Sequence, residues 1–187
     1  MLDAVRLATA KHGVKPGQTI LIHGQFIRPD QVQQLKGLGI FPSMFPMHTF
    51  YWGDWYKQIV GPEQAAQISP MRSILNTGLH ATSHTDAPVA LPNLMQVAWA
   101  TVNRTSRSGD VIGPDERVTP LEAMKMITLW GAEQFGEQDS KGSLEPGKQA
   151  DMVILSDNPL TIDPMKINTI IVLETIKDGN SVYIRQP

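Results

Sequence analysis

From residue 2 to about residue 135, short β-branched runs alternate with stretches whose apolar residues recur at helical spacing. No other feature constrains the fold as strongly. A strand–helix–strand repeat places consecutive strands parallel with right-handed crossovers, so the alternation predicts an α/β domain built on a parallel sheet. Thr19-Ile20-Leu21-Ile22-His23 predicts a strand buried on both faces, and Leu79 to Ser83 predicts another. Ile40 to Phe45 is a further apolar run, although Pro42 argues against a central place in the sheet. Helices are expected over Leu2 to His12, closed by Gly13, and over Gln31 to Leu38, ended by Gly39. Gln64 to Asn76 predicts a helical stretch interrupted at Pro70. Pro92 to Thr105 predicts a helix with Leu94, Val97, Ala98 and Val102 inward. Thr119-Pro120-Leu121-Glu122 is a capping box with proline at the first helical position. The helix it starts is expected to run to about Phe135 and to bury Leu121, Met124, Ile127 and Trp130. Val14 to Gln18 reads as a turn. Pro46 to Pro62 reads as a long loop crowded with Phe50, Tyr51, Trp52, Trp55 and Tyr56, and loops of that length are often functional.

After Gly142 the texture changes. Met152 to Leu155, Thr169 to Lys177 and Val182 to Ile184 predict strands, the last two forming a hairpin about Asp178-Gly179-Asn180. The expected division is therefore residues 1–140, with alternating helices and strands, and residues 141–187, a part of a separate small sheet. Leu2, Val5, Leu7 and Ala8 form a helical apolar set with no N-cap before it, as if the chain opened inside a larger unit.

Charge and cysteine usage narrow the function classes. Sixteen Lys and Arg against eighteen Asp and Glu give a net charge of −2, with no basic cluster. Nucleic acid and anionic membrane surfaces both need concentrated positive charge, so neither is an expected partner. No apolar run reaches the ~18 residues of a membrane span. The N-terminus lacks the basic-then-apolar layout of a signal peptide, which leaves the cytoplasm as the default location. The absence of cysteine excludes disulfides and thiolate metal sites.

The chemistry-bearing candidates sit at predicted strand ends. Asp86 follows the third strand and precedes Ala87-Pro88, where a carboxylate either caps the next segment or acts as metal ligand and proton acceptor. His23 closes the first strand, and Gly24 leaves room beside it for close approach. On parallel strands both would lie at the same end of the sheet, the end where α/β folds place their chemistry. His84 could orient Asp86 or pack beside it. His48 stands at the mouth of the aromatic segment, where it either contacts substrate or plays a surface or supporting role. His12 and His80 read as structural. No glycine-rich phosphate loop follows any strand, which disfavours a nucleotide site.

Three stretches carry a resemblance. Ile22-His23-Gly24-Gln25-Phe26-Ile27-Arg28-Pro29-Asp30, the segment from Gly39 to His48, and His84-Thr85-Asp86-Ala87-Pro88-Val89 resemble the amidohydrolase superfamily, in its YtcJ-like and N-substituted-formamide-deformylase-like branch. Lys141 to Leu155 resembles the stretch that returns such chains to a small β-domain. The resemblance implies a partial (β/α)8 barrel, about strands six to eight with their helices, plus the C-terminal strands of a small composite β-domain. It implies hydrolysis of amide or other non-peptide carbon–nitrogen bonds with one or two divalent ions, zinc being the expected metal. His23 matches a metal ligand, and Asp86 a metal ligand that also serves as general base. His48, His84, Tyr51, Trp52 and Trp55 are candidates for contact with a small amide-type substrate.

The family's His-x-His pair has no counterpart here. The expectation is thus a C-terminal piece of a larger enzyme, inactive alone because two ligands hold a catalytic metal poorly, and prone to associate with itself or with the missing N-terminal part. The competing reading is a non-catalytic scaffold or binding protein derived from the same fold.

Overall fold

The structure, a computed structural model, describes residues 1–13 and 19–186. The turn expected over Val14 to Gln18 lies outside the described residues. Three short strands, β1 (Thr19–His23), β2 (Ile40–Met44) and β3 (Thr82–Ser83), form a parallel sheet in the order β1-β2-β3. His23 pairs with Met44, and Met44 with Ser83, so the ends of all three strands stand level. That register is what makes one site out of residues far apart in sequence.

Two strand expectations need correction. Pro42 does lie in the central strand. The His84 amide donates to the Met44 carbonyl at 3.0 Å. Backbone groups two residues apart point the same way, so the Pro42 nitrogen also faces β3. Pairing to β3 begins only at Ser43, and the missing N–H of Pro42 therefore breaks no rung. β1 is not buried on both faces, since Ile22 is 53% exposed. It is an edge strand, with nothing on its far side among the described residues.

The largest correction concerns Pro46 to Pro62, which is not a loop. Met47–Ile59 is a helix, α3 here, following α1 (Leu2–His12) and α2 (Pro29–Gly37). Its inward face is Met47, His48, Thr49 and Gly53, a mixture of polar and small residues that carries little apolar periodicity. Gly53 is required by close approach: a Cβ there would lie 2.7 Å from Ile112 Cγ1. Pro62–Ala66 and Met71–Asn76 form α4 and α5, parted at Pro70 as expected.

α6 (Leu94–Asn103) is capped by Asn93, whose Oδ1 accepts from the Gln96 amide at 3.1 Å. It is the most buried helix of the fold, although Leu94, expected inward, is exposed at its first position. The capping box at Thr119 forms, but the helix it starts ends early. α7 (Pro120–Met126) and α8 (Leu129–Gln134) are separated at Thr128, which has φ −131° and ψ −94°. Ala123 and Met126 fill the core there, while Leu121 stays exposed.

The C-terminal sheet is antiparallel, β4 (Met152–Leu155), β5 (Val172–Lys177) and β6 (Asn180–Ile184). β5 begins later than expected because Pro164–Thr169 is a 3-10 turn. That turn lies on α6. Trp99 Nε1 donates to the Met165 carbonyl at 3.0 Å, Asn103 Nδ2 to the Pro164 carbonyl at 2.8 Å, and Ile167 is buried in the main core. Among the described residues, no helix is long and apolar enough to cross a membrane.

Candidate metal centre

The site is built at the level ends of the three parallel strands. His23, the last residue of β1, has φ +69°, and Asp86, in the loop after β3, has φ +53°. Left-handed backbone is uncommon outside glycine, though Asp and His adopt it more readily than most, and it concentrates at functional positions. Gly24 follows at φ +52°, and a Cβ on it would press to 3.1 Å from Leu21 Cδ2. Glycine thus lets the chain turn sharply away and leaves the His23 ring over the strand end.

His23 Nε2 and Asp86 Oδ2 are 3.3 Å apart. Their orientation does not make a hydrogen bond, so Nε2 of His23 is buried without a hydrogen-bond partner among the described residues. The same is true of Nε2 of His84. His23, His84 and Asp86 each place one ligand-capable atom within 4.8 Å of the others. The His84 ring lies 5.0 Å from that of His23 and 5.4 Å from that of Phe45, tilted by 21° and 18° respectively. Buried polar atoms are ordinarily paired. Two unpaired imidazole nitrogens beside a carboxylate are a donor set that fits a borderline divalent cation.

His48 lies on the first turn of α3 and is 6% exposed. Its Nδ1 is 3.1 Å from Ser69 Oγ, and Ser69 donates its own proton to the Phe45 carbonyl at 3.1 Å. Nδ1 of His48 must therefore be the donor, which leaves the lone pair on Nε2. Burial pushes the His48 pKa down to about 4, helped by the neighbouring His23 and His84 rings and opposed by Asp86. Burial, then His23, also holds His84 below the ordinary imidazole value, against Asp86 and the Ser43 backbone.

Of the aromatic candidates, Trp52 is 6.0 Å from the His48 ring and 6.2 Å from that of Phe45, one helical turn along the same face. Tyr51 leans on Trp52 and Phe50 at the margin of the core. Trp55 is 52% exposed and packs on Tyr56, outside the imidazole cluster.

Three contributing residues escaped the sequence reading. Phe45 is the ring against which His23, His48 and His84 all pack. Its signal was available, because it directly follows β2 at the level of His23. Ser69 fixes His48, and Arg104 fixes Ser69 by donating Nη1 to its carbonyl at 3.0 Å. Neither has a local signal: Ser69 precedes a proline, and Arg104 ends a helix.

A parallel sheet with imidazole and carboxylate donors gathered at its strand ends defines an α/β protein with a candidate metal centre. The model of the amidohydrolase family matches residues 1–183, and the chain belongs to that family. It is 30% identical over 166 residues to the N-substituted formamide deformylase of Arthrobacter pascens, covering 88% of this chain and 31% of the relative. It is 23% identical over 185 residues to YtcJ of Bacillus subtilis (strain 168), which is named as an amidohydrolase, covering 97% of this chain and 35% of that one. The chain thus spans about a third of the length of the curated relatives it matches. Among solved structures it is similar to a metal-dependent hydrolase from Pyrococcus horikoshii OT3. The TM-score is 0.69 at 23% identity, over 87% of this chain and 32% of the other, a likeness of fold.

Proposed function

We propose that this chain supplies part of the metal centre of a hydrolase acting on amide or other non-peptide carbon–nitrogen bonds. The observation that carries this reading is the pair of His23 Nε2 and Asp86 Oδ2, brought to 3.3 Å from two strand ends without a hydrogen bond between them. When bound, a divalent ion, zinc by preference for a mixed imidazole and carboxylate set, lowers the pKa of its water to about 7 and polarises a carbonyl. His23 would hold the ion through its buried, unpartnered Nε2. Asp86, with a side chain 34% exposed, is placed both to hold it and to accept and return a proton as general base. His48 offers the lone pair of Nε2 to a substrate N–H, and Trp52 with Tyr51 walls the same side. Trp55 stands too far out on α3 to share in that pocket.

In this reading β1, β2 and β3 correspond to the sixth, seventh and eighth strands of a (β/α)8 barrel, and β4 to β6 to a small composite β-domain beginning near residue 141. Three strands cannot close such a barrel. The exposed edge of β1 is where further barrel strands would pair, and turnover of a small amide-type substrate depends on them.

The test is formate release from N-substituted formamides by the zinc-loaded chain. It is assayed alone and after reconstitution with the amino-terminal two-thirds of the Arthrobacter pascens relative. Release is expected only on reconstitution and is lost in Asp86→Asn. Release undiminished in Asp86→Asn would refute the assignment, and release by the isolated chain would refute the need for further strands.

A further inference from the structure

We infer that His84 is a third protein ligand of the metal centre, so that this chain contributes two imidazoles and one carboxylate to it. The inference rests on the metal-centre reading above and adds to it a residue whose role was open between orienting Asp86, packing beside it and contacting substrate. His84 is the first residue beyond β3, and its amide continues the parallel ladder by donating to the Met44 carbonyl at 3.0 Å. Its backbone is therefore as fixed as that of His23, which pairs with the same Met44 from the other side.

The ring is fixed as well. It lies nearly parallel to His23 at 5.0 Å and to Phe45 at 5.4 Å. Were His84 only a packing residue, its buried Nε2 would be expected to find a hydrogen bond. Among the described residues it has none, like Nε2 of His23. A residue that oriented Asp86 would hydrogen-bond it, and no such bond is formed.

Distances agree with ligation. One atom from each of His23, His84 and Asp86 lies within 4.8 Å of the other two. Ligands about 2.1 Å from a tetrahedral ion stand about 3.4 Å apart, so modest side-chain rotation closes the set. Three protein ligands with one open position is the arrangement catalytic zinc ordinarily takes.

The experiment measures zinc affinity by competition with a chromophoric chelator, for the 187-residue chain and for His84→Ala, His84→Gln, His23→Ala and Asp86→Ala, each checked for folding by circular dichroism. Loss of an outer-shell partner costs about 10–100-fold in affinity. A ligand role predicts a loss above about 100-fold in both His84 variants, comparable with His23→Ala. X-ray absorption at the zinc edge should count two imidazoles in the wild type and one fewer in His84→Gln. If the His84 variants lose less while His23→Ala and Asp86→Ala collapse, the third ligand is overturned and the metal centre stands. If the wild type takes up no zinc, or all variants bind alike, both fall.

Discussion

Replacing Arg104 with methionine should come close to unfolding the protein. Arg104 is 1% exposed at the C-terminal end of α6, and among the described residues its guanidinium hydrogen-bonds to carbonyls alone. Nε donates to Ile112 at 2.7 Å, Nη1 to Ser69 at 3.0 Å, and Nη2 to Ile68 at 2.6 Å and more weakly to Ala66 at 3.3 Å. Hydrogen bonds to a charged group contribute about 1.5–3 kcal/mol each, so the three short ones amount to about 5–9 kcal/mol. Relief from burying the cation offsets several kcal/mol of that. The net loss is then about 3–5 kcal/mol, the range for stranding buried polar partners. With a urea m-value of about 2 kcal/mol/M, the unfolding midpoint should fall by about 2 M. Arg104→Lys should fall between, since a single ammonium cannot reach three diverging carbonyls. A stability loss under about 1 kcal/mol would refute the reasoning, for it would mean that water satisfies those carbonyls as well as the guanidinium does.

Two further outcomes are expected. The His48 pKa is lowered on folding, so the unfolded chain binds the extra proton: stability should be full above pH 6.5 and decline as pH falls toward about 4. His48→Gln should flatten that part of a stability–pH curve, and an unchanged slope would count against the buried neutral imidazole. Gly113→Ala should cost more than about 2 kcal/mol, or roughly 4–8 °C in Tm, from the left-handed penalty and steric overlap together. The added Cβ would lie 1.8 Å from the Ala66 carbonyl oxygen at φ +63°. Gly109→Ala, at φ +94° with nothing within 4 Å, separates backbone strain from overlap, and equal losses in the two would refute the clash.

The alternation of strands and helices was legible because strands are written as β-branched runs, as in Thr19 to His23, even where the strand is a half-buried edge strand. The strand ends followed from it, so His23 and Asp86 could be placed at one end of a sheet before any distance was known. The stretch after Pro46 misled for a definite reason. Its inward face consists of His48, Thr49 and Gly53 beside a single Met47, while aromatics at successive positions and prolines at both ends mimic a loop. Periodicity reports apolar burial, and here most of the fully buried groups are polar or small, with Phe50, Tyr51 and Trp52 only partly buried against the core. Arg104 was illegible for the opposite reason. A charged residue at a helix end is usually solvated, and only the carbonyls of Ile68, Ser69 and Ile112, brought near by tertiary structure, keep it inside. His84 fell between these cases: its position was plain, but its unpartnered nitrogen shows only once Met44, Phe45 and His23 surround it.

The seat of the Pro164–Thr169 turn on α6 bears on how the molecule comes apart. Trp99 and Asn103 hold main-chain oxygens of that turn, while Val97, Ala98 and Val102 of the same helix belong to the core beneath the parallel sheet. One helix thus serves both sheets. Loosening the antiparallel tail would strip Ile167 from the core and unsettle α6 at once, so the two sheets should melt as a single cooperative unit. The strand ends that carry His23, His84 and Asp86 would lose their alignment in the same transition.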